Sequence, residues 1–70
     1  MAHFKMYRAP DWPKPMRDAA TAVETAHDVL VDAKCVDQID HGLSMMQAAR
    51  AWFGREMLAL DRARRPEFYR

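Results

Sequence analysis

The sequence has one cysteine, Cys35, two glycines, Gly42 and Gly54, and no proline between residues 16 and 65. A single thiol excludes an intramolecular disulfide framework and suits a reducing compartment. No run approaches the ~18 apolar residues that a membrane-spanning helix needs. The opening MAHFKMYRAP lacks the apolar stretch of a secretory signal. A cytoplasmic protein without membrane contact is expected. An excess of one charge is also missing: 11 basic and 10 acidic side chains leave a net +1, which excludes a strongly basic nucleic-acid tail. The length of 70 residues excludes a two-domain enzyme. At or below roughly 70–80 residues a single core rarely supplies more than ~3–5 kcal/mol. With disulfides excluded, self-association is the expected source of further stability.

Three zones are present. Residues 1–15 hold Pro10, Pro13 and Pro15 together with Phe4, Tyr7 and Trp12, and read as an extended N-terminal arm. Residues 16–65 are rich in Ala, Met, Leu and charged residues, mostly good helix formers. Residues 66–70 restart with Pro66 and form a C-terminal tail. In the middle zone Met16, Ala19, Val23, Ala26, Leu30 and Ala33 alternate at spacings of three and four, a heptad seam whose alanines admit a close neighbour. Gly42 predicts the turn, with Ser44 and Gln47 as a capping box for the next helix. Helix 1 then covers about 16–41 and helix 2 about 45–65. The competing reading ends helix 1 near Val36 and starts helix 2 at Asp37 or Asp40. Either way the fold is an all-α antiparallel helical hairpin.

Helix 2 is apolar on more than one side. Met46, Ala49, Phe53, Met57 and Leu60 form one stripe, and Met45, Ala48, Trp52, Ala59 and Ala63 form a second. That is more surface than one short partner helix covers. Dimerisation into a four-helix bundle is the expected remedy, with Met46, Ala49, Trp52, Phe53, Met57 and Leu60 at the dimer interface.

Charge divides between the helices. Residues 16–41 carry six acids against two bases, and residues 44–65 five bases against two acids. A turn near residue 43 would set Asp32 by Arg55, and Glu24 or Asp28 by Arg62. Exposed pairs of this kind are worth only ~0–1 kcal/mol and select register more than they stabilise. At the open end, Trp12 is expected to meet Phe68 or Tyr69 and close the core. The same aromatics would otherwise serve as anchors for a partner.

Chemistry finds little to use. Glu24 and His27 make a Glu-x-x-His pair, but they fall toward the edge of the helix, where a bundle-centre metal would not reach them. His41 beside Asp40 has neither a nucleophile nor oxyanion donors with it. Cys35 lacks a neighbour that would lower its pKa. No metal, no cofactor and no catalytic residue are therefore expected. The rival to a binding role is a dimeric ribbon-helix-helix DNA-binding repressor, in which Phe4–Tyr7 would pair as a β-ribbon. Asp11-Trp12-Pro13-Lys14-Pro15 interrupts that layout, and helix 1 is too long and too acidic for it, so nucleic acid is an unfavoured partner.

The reading that results is a small non-catalytic interaction module. It would bind a larger intracellular protein, a transcription regulator or an enzyme, and modulate it, most simply by inhibition. Phages and plasmids encode hairpins of this kind against host regulators. The partner-binding side chains expected are Trp12, Met45, Trp52, Arg55, Arg62, Phe68 and Tyr69.

Overall fold

The computed structural model describes residues 4–69. Met1, Ala2, His3 and Arg70, and so the outermost parts of the N-terminal and C-terminal zones, lie outside the described residues. Two helices, α1 (Lys14–Val31) and α2 (Val36–Arg64), pack against each other as a hairpin, and a 3-10 turn, Pro66–Tyr69, follows. No strand occurs among the described residues.

Helix α1 starts one residue after Pro13, its extended N-cap, with Pro15 inside the first turn. Proline is well placed there, because the first helical N–H groups have no intrahelical acceptor. The Pro13 carbonyl accepts from the Met16 and Arg17 N–H groups, each at 3.1 Å. At the other end the Asp32 N–H reaches Asp28 O at 3.0 Å and the Ala33 N–H reaches Leu30 O at 3.3 Å. The chain then reverses through Asp32–Cys35. Cys35 is the extended N-cap of α2, Asp37 lies in the first turn where the helix dipole favours a carboxylate, and Gln38 Oε1 accepts the Lys34 N–H at 2.5 Å.

The turn is therefore not at Gly42. Glycine there serves packing, not chain reversal: its φ is not positive. A Cβ added at Gly42 would lie 2.7 Å from Leu30 Cδ2 and 3.3 Å from Val29 Cγ1. Gly42 is buried in α2 where the end of α1 crosses it. Ser44 and Gln47 are exposed in the interior of α2 and cap nothing, while Gln38 does the work expected of Gln47. The early turn also makes the helices unequal. α1 has 18 residues and α2 has 29, or ~27 and ~44 Å at 1.5 Å per residue. The C-terminal turns of α2 overhang α1, and the molecule measures 47 × 23 × 14 Å.

Met16, Ala19 and Ala26 of the heptad seam are fully buried, joined by Ala20 from α1 and Ala49 from α2. Met16 is the one large side chain fully buried among the described residues. Alanines let the helix axes approach but remove little apolar area from water, so the core is thin.

The two glycines of α2 are expected to respond oppositely to alanine. At Gly54 an added Cβ meets nothing within 4 Å, so Gly54→Ala should stabilise by ~0.5–1 kcal/mol through helix propensity. At Gly42 the same gain is opposed by an overpacking cost of ~1–3 kcal/mol, and Gly42→Ala should lower the melting temperature. Thermal denaturation of both variants checks the pair of signs.

Candidate interaction surface

The N-terminal segment, residues 4–13, is fastened to one flank of α1. Glu24, buried in the middle of that flank, is the fastening point. Arg8 grips it as a fork: Nη1 donates to Glu24 Oε2 at 2.7 Å and Nη2 to Oε1 at 2.9 Å. Arg8 Nη2 also donates to Thr21 Oγ1 at 2.9 Å, and the Met6 N–H donates to Glu24 Oε2 at 2.7 Å. A paired, hydrogen-bonded carboxylate can be buried where an isolated one cannot. The Arg8 hydrogen bonds, then the Met6 N–H, hold the Glu24 pKa down at about 2 against the opposing effect of burial. Nearby, the Phe4 ring lies 4.8 Å from the His27 ring. Both members of the Glu-x-x-His pair are thus taken up in holding the segment. Among the described residues no group of three His, Cys, Asp or Glu is placed to hold a metal ion.

The expected inter-helix ion pairs are replaced. With the turn at Asp32–Cys35, Asp32 and Arg55 are no longer level, and among the described residues no ion pair joins α1 to α2. The pairs among the described residues include Arg8–Glu24, Arg64–Asp11 between α2 and the N-terminal segment, and Lys14–Asp18 and Arg65–Asp61 within helical turns. Asp61 also accepts a hydrogen bond from the Tyr69 hydroxyl. The Arg65 and Tyr69 hydrogen bonds lower the Asp61 pKa, and the Asp61 carboxylate raises that of Tyr69.

The aromatic ends do not meet one another. Trp12 is half-buried and sets its ring edge-on to Phe53 at 5.7 Å, so α2 receives it rather than the tail. Phe68 and Tyr69 lie under arginines of their own side: the Arg65 guanidinium is 4.7 Å from the Phe68 ring and Arg62 is 5.4 Å from the Tyr69 ring. Both rings remain exposed. Arg55 is exposed as well.

Helix α2 shows two apolar stripes about a quarter turn apart. Gly42, Met45, Ala49 and Trp52 repeat at three and four residues, and Gly42 lies against Leu30 and Val29 of α1. Ala49 is only 4% exposed and so is taken up by the hairpin itself. Met45 and Trp52 are half-buried, and with Ala22, Thr25, Ala48 and Ala49 they line a groove of about 370 Å³. A groove of about 590 Å³ near the turn is edged by Asp28, Asp32, Asp37 and His41 over Val29 and Ala33. The second stripe begins earlier than sequence reasoning placed it. Val36, Ile39 and Leu43 precede Met46, Phe53, Met57 and Leu60 in unbroken three-four spacing, with Arg50 the one polar member between Val36 and Leu60. Val36 is 72% exposed, Leu43 53%, Ile39 43% and Met57 42%, whereas Met46, Phe53 and Leu60 are half-buried. The spacing signal for Val36, Ile39 and Leu43 was present in the sequence but was divided by a turn assigned at residue 42. Arg8 carried no local signal, because its partner lies sixteen residues away.

Glu24→Gln is expected to cost about 1.5–3 kcal/mol, the range for hydrogen bonds to a charged group. The folded pKa of Glu24 lies below its ordinary 4.5, so its contribution is full above pH 4.5 and is lost as pH falls toward about 2. Urea titrations across that window should show the wild type losing stability that Glu24→Gln has already lost. Among the described residues no helix is long and apolar enough to cross a membrane. No family model, no curated protein and no solved structure matches the chain.

Proposed function

We propose that the chain is a small non-catalytic protein-interaction module that binds a larger protein and inhibits it, in the manner of phage and plasmid proteins that sequester host regulators. In this reading it works in the cytoplasm as a homodimer, two hairpins forming a four-helix bundle, each with an extended N-terminal arm strapped along α1. The observation that carries the reading is the apolar surface left open on α2, where Val36, Ile39, Leu43 and Met57 are exposed. Large exposed apolar patches on small proteins mark places where another molecule sits. Methionine suits such surfaces because its side chain is unbranched and polarisable. The Met45–Trp52 groove is the surface assigned to the larger protein, with Arg55, Arg62 and the Phe68–Tyr69 tail beside it and Trp12 at the open end. A ribbon-helix-helix arrangement draws less support, since the Met6 N–H that a β-ribbon would use already donates to Glu24.

Affinity capture tests this. The immobilised chain should retain one protein at stoichiometric yield from cells that produce it, and Met45→Asp should reduce that yield at least tenfold with helicity unchanged by circular dichroism. No stoichiometric partner in repeated captures, or equal capture by the variant, would contradict the assignment of the groove.

A further inference from the structure

We infer that the Val36–Leu60 stripe of α2, exposed at Val36, Ile39, Leu43 and Met57 and half-buried at Met46, Phe53 and Leu60, is the seat of α2 from a second copy of this chain, packed antiparallel about a two-fold axis beside Ala48. The inference rests on the interaction-module reading and names the occupant of one of its two surfaces. Its first support is periodicity. From Val36 to Leu60 the stripe keeps strict three-four spacing over more than three heptads, the extent at which such a repeat argues a coiled-coil face. Its second is orientation. At 100° per residue the stripe lies about 100° round the helix from the Gly42–Trp52 stripe. A helix in a four-helix bundle touches two neighbours roughly at that angle. Along α1 the corresponding flank is already occupied by the N-terminal segment through Glu24 and His27.

The third support is self-complementarity, and it fixes the register. Laid antiparallel with Val36 against Leu60 of the second copy, the stripe sets Ile39 against Met57, Leu43 against Phe53 and Met46 against the stem of Arg50. Each apolar member of the stripe then faces the second copy, and the two-fold repeats the set. The flanks agree. Asp40 is level with Glu56 of the second copy but on the opposite flank of the seam. On its own flank the nearest neighbour of Asp40 is Gly54, and that of Gln47 is the second Gln47, each offset by two residues, so the two like charges do not share a flank. Sliding by one heptad toward the C-terminus leaves Val36 and Ile39 uncovered and brings Asp40 against Asp61. A parallel pairing stacks Arg50 on Arg50 and Arg64 on Arg64. The net charge of +1 gives two copies no bulk repulsion to overcome.

Cysteine chemistry reads this register directly. Cys35 is free and exposed at the start of α2. In the antiparallel register the two Cys35 thiols are roughly 39 Å apart at 1.5 Å per residue, so mild oxidation of the natural chain should yield no disulfide-linked dimer. Gln47→Cys in a Cys35→Ser background should cross-link nearly completely. Sedimentation equilibrium should give the natural chain twice its 8.2 kDa mass, and Leu43→Glu, at a site already exposed in one copy, should return it to 8.2 kDa with its helicity retained. Ready cross-linking through Cys35, with none through Gln47→Cys, would overturn the antiparallel register. A concentration-independent monomer would overturn self-association altogether. A monomer that still captures a larger protein through Met45 would leave the interaction-module reading standing without this one. A cross-linked dimer that captures nothing would do the reverse.

Discussion

Helix α2 carries more apolar surface than α1 covers: Val36, Ile39, Leu43 and Met57 remain exposed. The position of the turn adds a mismatch of length. Because the chain reverses at Asp32–Cys35, α1 is 18 residues long and α2 is 29, and the longer helix carries apolar positions that the shorter one cannot reach. Gly42 makes the contact close by admitting Leu30 against the α2 backbone. The alanines at 19, 26 and 49 sustain it along the hairpin. Close approach of backbones lined with small side chains gives a snug interface of little area. The hairpin is therefore well specified geometrically while holding little hydrophobic free energy of its own.

The N-terminal segment supplies what α1 lacks in bulk. A buried carboxylate such as Glu24 costs free energy unless its oxygens are satisfied. Here both oxygens are engaged by the Arg8 fork, and the Met6 amide adds a third donor. The segment is thereby held along one flank of α1, with Phe4 beside His27 and Trp12 beside Phe53. With that flank of α1 occupied, the open apolar surface of the molecule is concentrated on α2.

Much of the architecture was legible in the sequence, and the parts that were not have identifiable causes. The three-four spacing of Met16, Ala19 and Ala26 gave the core side of α1 correctly, because periodicity reports burial directly. The surplus of apolar positions in the second helix was equally plain. The turn was misplaced because a glycine followed by Ser-x-x-Gln resembles a helix boundary. The actual boundary uses no glycine at all, only Asp32, an extended Cys35 and the Gln38 amide. That single displacement also removed the Asp32–Arg55 pairing, since register and turn position are one quantity in a hairpin. Arg8–Glu24 was not legible because it joins an irregular segment to a helix, and no periodicity spans the two. The aromatic ends were half legible: Trp12 packs inward as expected, but on Phe53 instead of Phe68 or Tyr69.

The account stands on the claim that the fold of one copy is completed by another molecule on α2, and that a second copy is available to do it. The most direct measurement is the melting temperature of the purified chain as a function of its own concentration. Folding coupled to self-association makes the midpoint rise with concentration by mass action. A steady rise over two or three decades of dilution is the result expected. A midpoint that stays constant across that range would mean the thin core of Met16 and its alanines is sufficient alone, and would contradict the central claim.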